Sequence, residues 1–227
     1  MERNIQAGLF DLDGVLVDTA KYHYQAWRKL ANTMGFDVSL QQNEQLKGIS
    51  RIESLDRLLA WGGISLPSEA RKQLAERKNT WYVELISKMT PDAVLPGARE
   101  LLAALRHQGV RTALGSASKN AQLILEKTGL EEYFEVVVDG NLVTRSKPDP
   151  EVFLTGAARL GIPPECCVVF EDAEAGIIAA KRARMKVVGV GHAAELREAD
   201  WVVSDLAAVS VEQLDKLFES TPGRERE

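Results

Sequence analysis

Carboxylates stand out first in this sequence because they come in pairs directly after short strand-like runs. Asp11 and Asp13 follow Ala7 to Phe10, and Glu171-Asp172 follows Cys167 to Phe170. Between them along the chain lie Ser116-Ala117-Ser118-Lys119-Asn120, after the run Val110 to Gly115, and Lys147, a loop beyond Val136 to Asp139. Three or four carboxylates in one pocket would repel one another unless a cation sat among them, and hard oxygen donors with an open position favour Mg²⁺ over zinc. A segment between a strand and a helix offers an anion unpaired N–H groups and the positive end of the helix dipole, and a lysine adds a point charge. A phosphate held there would touch the cation and face a carboxylate. Such a set suits phosphoryl transfer by covalent catalysis, with Asp11 attacking phosphorus. Asp13, two residues on and on the same side of an extended backbone, would trade the proton with the leaving or entering oxygen. Taken singly, Asp-x-Asp also fits a solvated loop, Glu-Asp fits a helix cap and Lys-Pro says almost nothing. Their joint occurrence in this order at successive strand ends is what carries weight.

The elements that must position these groups can be read from apolar spacing. Ala20, His23, Trp27, Leu30 and Met34 recur at helical steps, which predicts a helix with Asp18 or Thr19 as cap and Gly35 as stop. Ser50-Arg51-Ile52-Glu53 is a capping-box pattern opening a second helix, which carries Leu55, Leu58 and Leu59 and ends at Gly62-Gly63. A third, from about Ser68, carries Leu74, Lys78, Trp81, Leu85 and Met89 on one face. After Pro96-Gly97 the pattern alternates. Helices around Leu101 to Arg106, Asn120 to Thr128, Pro150 to Leu160, Ala175 to Arg184 and from Val211 are interleaved with strands at Val110 to Gly115, Val136 to Asp139, Cys167 to Phe170, Lys186 to Val190 and near Trp201. Alternation of this kind builds an α/β, doubly wound parallel sheet with helices on both faces. The predicted organisation is a Rossmann-like core domain from residues 1–16 and 91–227, interrupted after its first strand by an α-helical cap domain at 17–90. The Arg/Glu-rich end after Thr221 reads as a frayed tail.

Composition narrows the classes. The chain has 227 residues, 45% hydrophobic and 27% charged, which suits a globular protein of one domain with a sizeable insertion. Its net charge is −5, and no dense Lys/Arg stripe lines any predicted face, so no nucleic-acid partner is expected. Cys166 and Cys167 are adjacent and fit neither metal-ligand spacing nor a disulfide framework. Neither a signal peptide in Met1 to Gly8 nor a membrane-spanning run is read, so the expectation is a cytoplasmic enzyme without a membrane partner.

Together, Phe10-Asp11-Leu12-Asp13-Gly14-Val15, Ser116, Lys147-Pro148 and Glu171-Asp172 resemble the haloacid dehalogenase superfamily of phosphotransferases. Within it, the helical block is similar to the cap of the β-phosphoglucomutase family. The likeness rests on Asp18-Thr19-Ala20-Lys21-Tyr22-His23, Trp27, Asn43 to Arg51, Ser54, Arg77-Lys78-Asn79 and Ser116 to Asn120. The resemblance implies an aspartyl phosphate on Asp11 and Asp13 as general acid/base, with Asp11, the Asp13 carbonyl, Glu171 and Asp172 holding Mg²⁺. Ser116, the Ala117 N–H and Lys147 would hold the transferring phosphoryl group, and Arg51, Ser118, Lys119 and Asn120 the second phosphate of a bisphosphate. His23, Trp27, Leu46, Gly48, Ser50, Ser54, Lys78 and Asn79 would form the substrate side of the cap. The implied reaction is β-D-glucose 1-phosphate to glucose 6-phosphate through β-glucose 1,6-bisphosphate, by a monomer acting on a small sugar phosphate.

Some residues speak without the family. Arg51 sits in the first turn of its helix, where the dipole disfavours a cation by about 0.3–1 kcal/mol, so it asks for an anion, either a ligand phosphate or a nearby acid. Lys78 lies on an apolar stripe, where most lysines snorkel. His23 and Trp27, four apart on a packed face, also suit core positions. The chain departs from the family at Ala173, where many relatives have Ser, at Arg184, where Gly is frequent, and at Arg145-Ser146. Two other functions fit the same scaffold: a small sugar-phosphate phosphatase, which needs only the core motifs, and a catalytically silent binding protein. A mutase must keep its phosphoenzyme from water while the bisphosphate turns round, so Arg51 and the 118–120 segment separate it from a phosphatase better than Asp11 does.

Overall fold

A computed structural model describes residues 4–219 of the chain; the frayed tail expected after Thr221 lies outside the described residues. Six parallel strands form one sheet in the order β3-β2-β1-β4-β5-β6. They are β1 (Ala7–Phe10), β2 (Arg111–Gly115), β3 (Val136–Val138), β4 (Cys167–Glu171), β5 (Lys186–Val190) and β6 (Trp201–Val203). The central strand β1 pairs with β2 on one side and β4 on the other, with Phe10 opposite Leu114 and Phe170. Its four residues are all buried because both faces are covered, which is why it reads as a continuous apolar run rather than an alternation.

Alternate residues feed two separate core layers. Phe10, Leu114, Val168 and Phe170 face one, where Phe10 and Phe170 stack with ring centroids 4.3 Å apart. Ala7, Leu9, Ala113, Val169 and Val187 face the other. The strand order reverses between β1 and β4, and in open α/β sheets ligands bind beyond the carboxyl ends of the strands at such a switch point.

Between β1 and the rest of the sheet the chain forms α1 (Ala20–Thr33), α2 (Leu40–Glu44), α3 (Arg51–Trp61) and α4 (Ser68–Ile86), a segment called the cap below. It has its own apolar cluster, built around Trp27, Leu30, Leu46, Leu55, Leu58 and Leu59. Helix α2 was not expected from the sequence. Its five residues are too few to show a period, and its signal is local, a capping box between Ser39 and Gln42.

Helix α4 buries Ala75, Lys78, Tyr82 and Ile86; of the expected stripe Lys78 and Met89 are buried, whereas Leu74, Trp81 and Leu85 are only half-buried. The physical reason is that it serves two neighbours: Ala75 packs in the cap cluster, whereas Tyr82 and Ile86 join the main core layer. Thr19 is the N-cap residue of α1, one of the two expected, but its side chain makes no capping bond there.

The remaining helices are α5 (Ala98–His107), α6 (Ala121–Thr128), α7 (Glu151–Leu160), α8 (Glu174–Arg182) and α9 (Val211–Glu219). Among the described residues no helix is long and apolar enough to cross a membrane.

Candidate active site

The ends of the strands at the switch point deliver the carboxylates. Asp11 is the first residue past β1, its N–H bonded to the Phe170 carbonyl at 3.0 Å, and Glu171 closes β4. Ser116 follows β2, its N–H donating to the Val138 carbonyl at 3.0 Å. Lys147 reaches in from the loop after β3. Its Nζ lies 2.6 Å from Asp11 Oδ1 and 3.1 Å from Glu171 Oε1, with only 1% of the residue exposed. Burial alone would lower the Lys147 ammonium, but Asp11 and Glu171 outweigh it and hold its pKa above the usual lysine value. This lysine is a fixed positive charge.

Asp11, Glu171 and Asp172 each offer a carboxylate oxygen within 4.8 Å of the others. Burial, then the charge of Asp11, drives the Glu171 carboxyl well above its usual range. Burial also pushes Asp172 up to about 7, against the pull of Lys47. Crowded, buried carboxylates of this kind fit a divalent cation, which would restore their ionised forms, and all-oxygen donors fit Mg²⁺. Gly14 is needed here: its φ of +84° is a left-handed conformation, and a Cβ at that position would collide with the Asp172 carboxylate.

Asp13 faces the cavity, and the hydroxyl of Thr19 donates to its Oδ1. Burial and the neighbouring Asp11 raise the Asp13 carboxyl to about 6, while Thr19 and Lys147 hold it down. A carboxyl poised near neutrality suits a group that gives and takes a proton. Thr19 therefore does more than begin a helix. Tyr82, which the sequence reading passed over, lies against the same group. Its ring is 4.1 Å from that of His23, and its hydroxyl makes no well-formed hydrogen bond. Burial, followed by the charge of Asp13, pushes its phenol well above the usual value, with Thr19 near enough to oppose the shift. A spacing of four from Lys78 on the same helix is the sequence signal that could have pointed to Tyr82.

The cap contributes a second lysine. Lys78 does not snorkel: 3% of it is exposed, and its Nζ lies 3.0 Å from His23 Nδ1 and 4.3 Å from the centre of the Trp27 ring. Burial and the nearby charge of Arg51 bring its pKa down to about 7, with Asp13 opposing. His23 is pushed well below its usual pKa by burial, then by Lys78 and Arg51, so it is neutral.

A cavity of about 340 Å³ joins these groups. Asp11, Asp13, Ser116, Ala117, Lys147 and Asp172 line it from the core, together with Ser118, Lys119 and Asn120. His23, Trp27, Leu46, Gly48, Ser50, Arg51, Ser54, Lys78 and Asn79 line it from the cap. Glu171 is completely buried and stands behind this wall, in contact with Lys147. Gly48 again needs to be glycine: φ is +71°, and a Cβ there would lie 3.1 Å from the Ala173 Cβ. Arg51 has an acid beside it after all, Glu76 at 3.1 Å, which is 72% exposed and so a weak holder.

Comparison with known proteins bears on this arrangement. The profile of the haloacid dehalogenase-like hydrolase family matches residues 5–184. The chain is 43% identical over 223 residues to a β-phosphoglucomutase of Bacillus subtilis, covering 97% of this chain and 99% of that protein. It is 33% identical to a phosphorylated carbohydrates phosphatase of Thermotoga maritima, covering 83% and 86%. Among solved structures, a β-phosphoglucomutase from Clostridium difficile superimposes with a TM-score of 0.91 at 42% identity, covering 95% and 97%.

Proposed function

The chain belongs to the haloacid dehalogenase-like hydrolase family, and we propose that it works there as a β-phosphoglucomutase, interconverting β-D-glucose 1-phosphate and glucose 6-phosphate through an aspartyl phosphate and β-glucose 1,6-bisphosphate. One observation carries this reading beyond simple phosphate hydrolysis. The cavity is lined by the core carboxylates and Lys147 and also by further cationic groups, Arg51 on the cap and Lys119 on the core, enough for a substrate with two phosphates.

In the proposed mechanism an Asp11 oxygen attacks phosphorus, the ester bond to the donor breaks, and Asp13 gives its proton to the leaving oxygen. In the second half a sugar hydroxyl loses its proton to Asp13 and takes the phosphoryl group from Asp11. Thr19 keeps the Asp13 carboxyl oriented through its hydrogen bond. Ser116, the Ala117 N–H and Lys147 hold the transferring group, while Arg51, Ser118, Lys119 and Asn120 hold the other phosphate. His23, Trp27, Leu46, Gly48, Ser50, Ser54, Lys78 and Asn79 shape the sugar side. Asp11, the Asp13 carbonyl, Glu171 and Asp172 would hold Mg²⁺, which when bound offsets charge on the phosphoryl oxygens. We place the enzyme in the cytoplasm as a monomer, with core 1–16 and 91–227 and cap 17–90.

The test supplies β-glucose 1-phosphate, Mg²⁺ and a trace of the bisphosphate. Glucose 6-phosphate without free phosphate is expected, and the product should vanish in Asp11→Asn. Rapid stoichiometric release of phosphate would instead make the protein a sugar-phosphate phosphatase, the reading that the Thermotoga relative's name suggests.

A further inference from the structure

Polar side chains meet across the mouth of the cavity, one from the cap and one from the core. Asn120 Nδ2 donates to Asn79 Oδ1 at 3.0 Å, and Lys47 Nζ lies 3.3 Å from Asp172 Oδ2. Those contacts involve groups already given a place in phosphate or metal binding. A third does not. Ser146 Oγ donates to Glu53 Oε2 at 2.6 Å, across 93 positions of sequence.

Both partners are at informative places. Ser146 immediately precedes Lys147, the fixed charge of the core wall. Glu53 is the third residue of α3, whose first residue is Arg51, and it completes the capping box with Ser50. The Ser50 hydroxyl and N–H both donate to the same Glu53 oxygen, at 2.8 and 3.2 Å. Burial alone would raise the Glu53 carboxyl, but the Ser146 and Ser50 donors outweigh it and keep it below its usual range. The acceptor is therefore ionised, and hydrogen bonds to ionised acceptors are shorter and stronger than neutral ones. One bond thus ties the loop of Lys147 to the helix start of Arg51, the two positively charged sides of the substrate cavity. Glu53 is exposed at the rim, so the bond can break and re-form without burying a lone charge.

We propose that Glu53 and Ser146 form a latch that holds the cap shut over the phosphorylated enzyme, making them specificity-determining residues that favour a sugar hydroxyl over water. The proposal rests on the mutase reading above. In the competing reaction water attacks phosphorus, the bond from phosphorus to the Asp11 oxygen breaks, and the water proton passes to Asp13. Every opening with phosphate on Asp11 admits that reaction. A latch of one exposed hydrogen bond suits an enzyme that must also open to release sugar.

The test compares wild type with Ser146→Ala, Ser146→Thr and Glu53→Gln. The primary readout is phosphate released per glucose 6-phosphate formed from β-glucose 1-phosphate. Ser146→Ala should raise it about fivefold, the factor given by a hydrogen bond worth about 1 kcal/mol. The KM for the sugar should rise in parallel, and acetyl phosphate hydrolysis, which turns over by the same attack of water on the phosphorylated Asp11, should rise rather than fall. Ser146→Thr should restore the wild-type ratio, and Glu53→Gln, which keeps the helix cap but loses the charge, should fall between. An unchanged ratio in Ser146→Ala overturns the latch. So does a parallel loss of acetyl phosphate hydrolysis, because Ser146 would then act only by placing Lys147. If the wild type forms no glucose 6-phosphate, the mutase reading fails separately. Amide exchange of residues 50–54 then judges the latch: faster exchange in Ser146→Ala supports it, and unchanged exchange removes it.

Discussion

Lys147 and Lys78 are buried to nearly the same degree, 1% and 3% exposed, in the core wall and the cap wall of one cavity. Their charges nevertheless answer to different surroundings. The core lysine sits between Asp11 and Glu171, and its ammonium is stabilised beyond that of a free lysine. The cap lysine meets a neutral histidine and the faces of Trp27 and Tyr82, with Arg51 close enough to repel it. Burial is common to both, so the difference comes from the carboxylates that the switch point of the sheet provides and the helical cap lacks. The core wall holds a permanent charge for a permanent task. The cap wall holds a charge that becomes favourable when an anion enters.

The largest expected effect separates the two lysines directly. Lys147→Met leaves Asp11 and Glu171 buried side by side without their cation, and breaking a buried pair by removing one partner costs about 3–5 kcal/mol. Lys78→Met strands no carboxylate, and a flexible apolar chain of similar length fits a pocket already walled by aromatic rings. Urea unfolding at pH 7 in the presence of a chelator should therefore show a deep loss for Lys147→Met and neutral or higher stability for Lys78→Met. Equal losses would mean that Asp13, the carboxylate whose charge acts on Lys78, supports it as strongly as Asp11 and Glu171 support Lys147.

A smaller effect appears in the pH dependence of stability. Burial brings folded Lys78 down to about 7 from the ordinary lysine value of 10.5, so between those pH values the unfolded chain binds the extra proton. Stability must then rise with pH over that window, by up to about 1.4 kcal/mol per pH unit. Lys147 has the opposite sign. Its pKa is raised in the fold, so its contribution is fully present below 10.5 and fades only at higher pH. Subtracting the curve of Lys78→Met from that of wild type cancels the groups that do not feel Lys78; Asp13 and His23 do feel it but titrate below this window, so the difference should climb from pH 7 to 10. A flat difference would show that Lys78 keeps its proton throughout.

The same contrast explains what was legible in the sequence. Core residues such as Asp11, Ser116 and Glu171 were found because strand ends in a parallel sheet converge by topology, and short apolar runs mark those ends well. In the cap, Arg51 stood out as a cation in the first turn of a helix, where the dipole disfavours it, and Lys78 as a charge on an apolar stripe. The contacts between the two regions were not legible. Glu53 and Ser146 lie far apart in sequence, and nothing in either neighbourhood names the other. The Thr19 hydroxyl could have capped α1, and the fold spends it on Asp13 instead. On α4 two overlapping stripes exist because two partners share the helix, and a single period selects the wrong one, passing over Tyr82.

Arg184 offers the smallest effect and the cleanest control, because it is in the core region yet is not one of the residues that line the cavity. Helix α8 ends in a Schellman arrangement: the Met185 N–H donates to the Ala180 carbonyl and the Arg184 N–H to the Lys181 carbonyl, each at 3.0 Å. That motif places Arg184 at a φ of +61°, the one positive value for a non-glycine residue among those described. A left-handed conformation costs an L-residue about 1–2 kcal/mol. Glycine removes that cost but adds roughly 0.5–1 kcal/mol of entropy lost on folding. Arg184→Gly should therefore gain about 0.5 kcal/mol, read as a higher urea midpoint with an unchanged slope. Formation of glucose 6-phosphate should not change, because Arg184 does not line the cavity and the bond from α8 to the Lys147 loop is made by Arg182, not by Arg184. If activity shifted along with stability, the turn would be coupled to the β4 carboxylates through α8, and the separation between a rigid core scaffold and an adjustable cap would have to be redrawn.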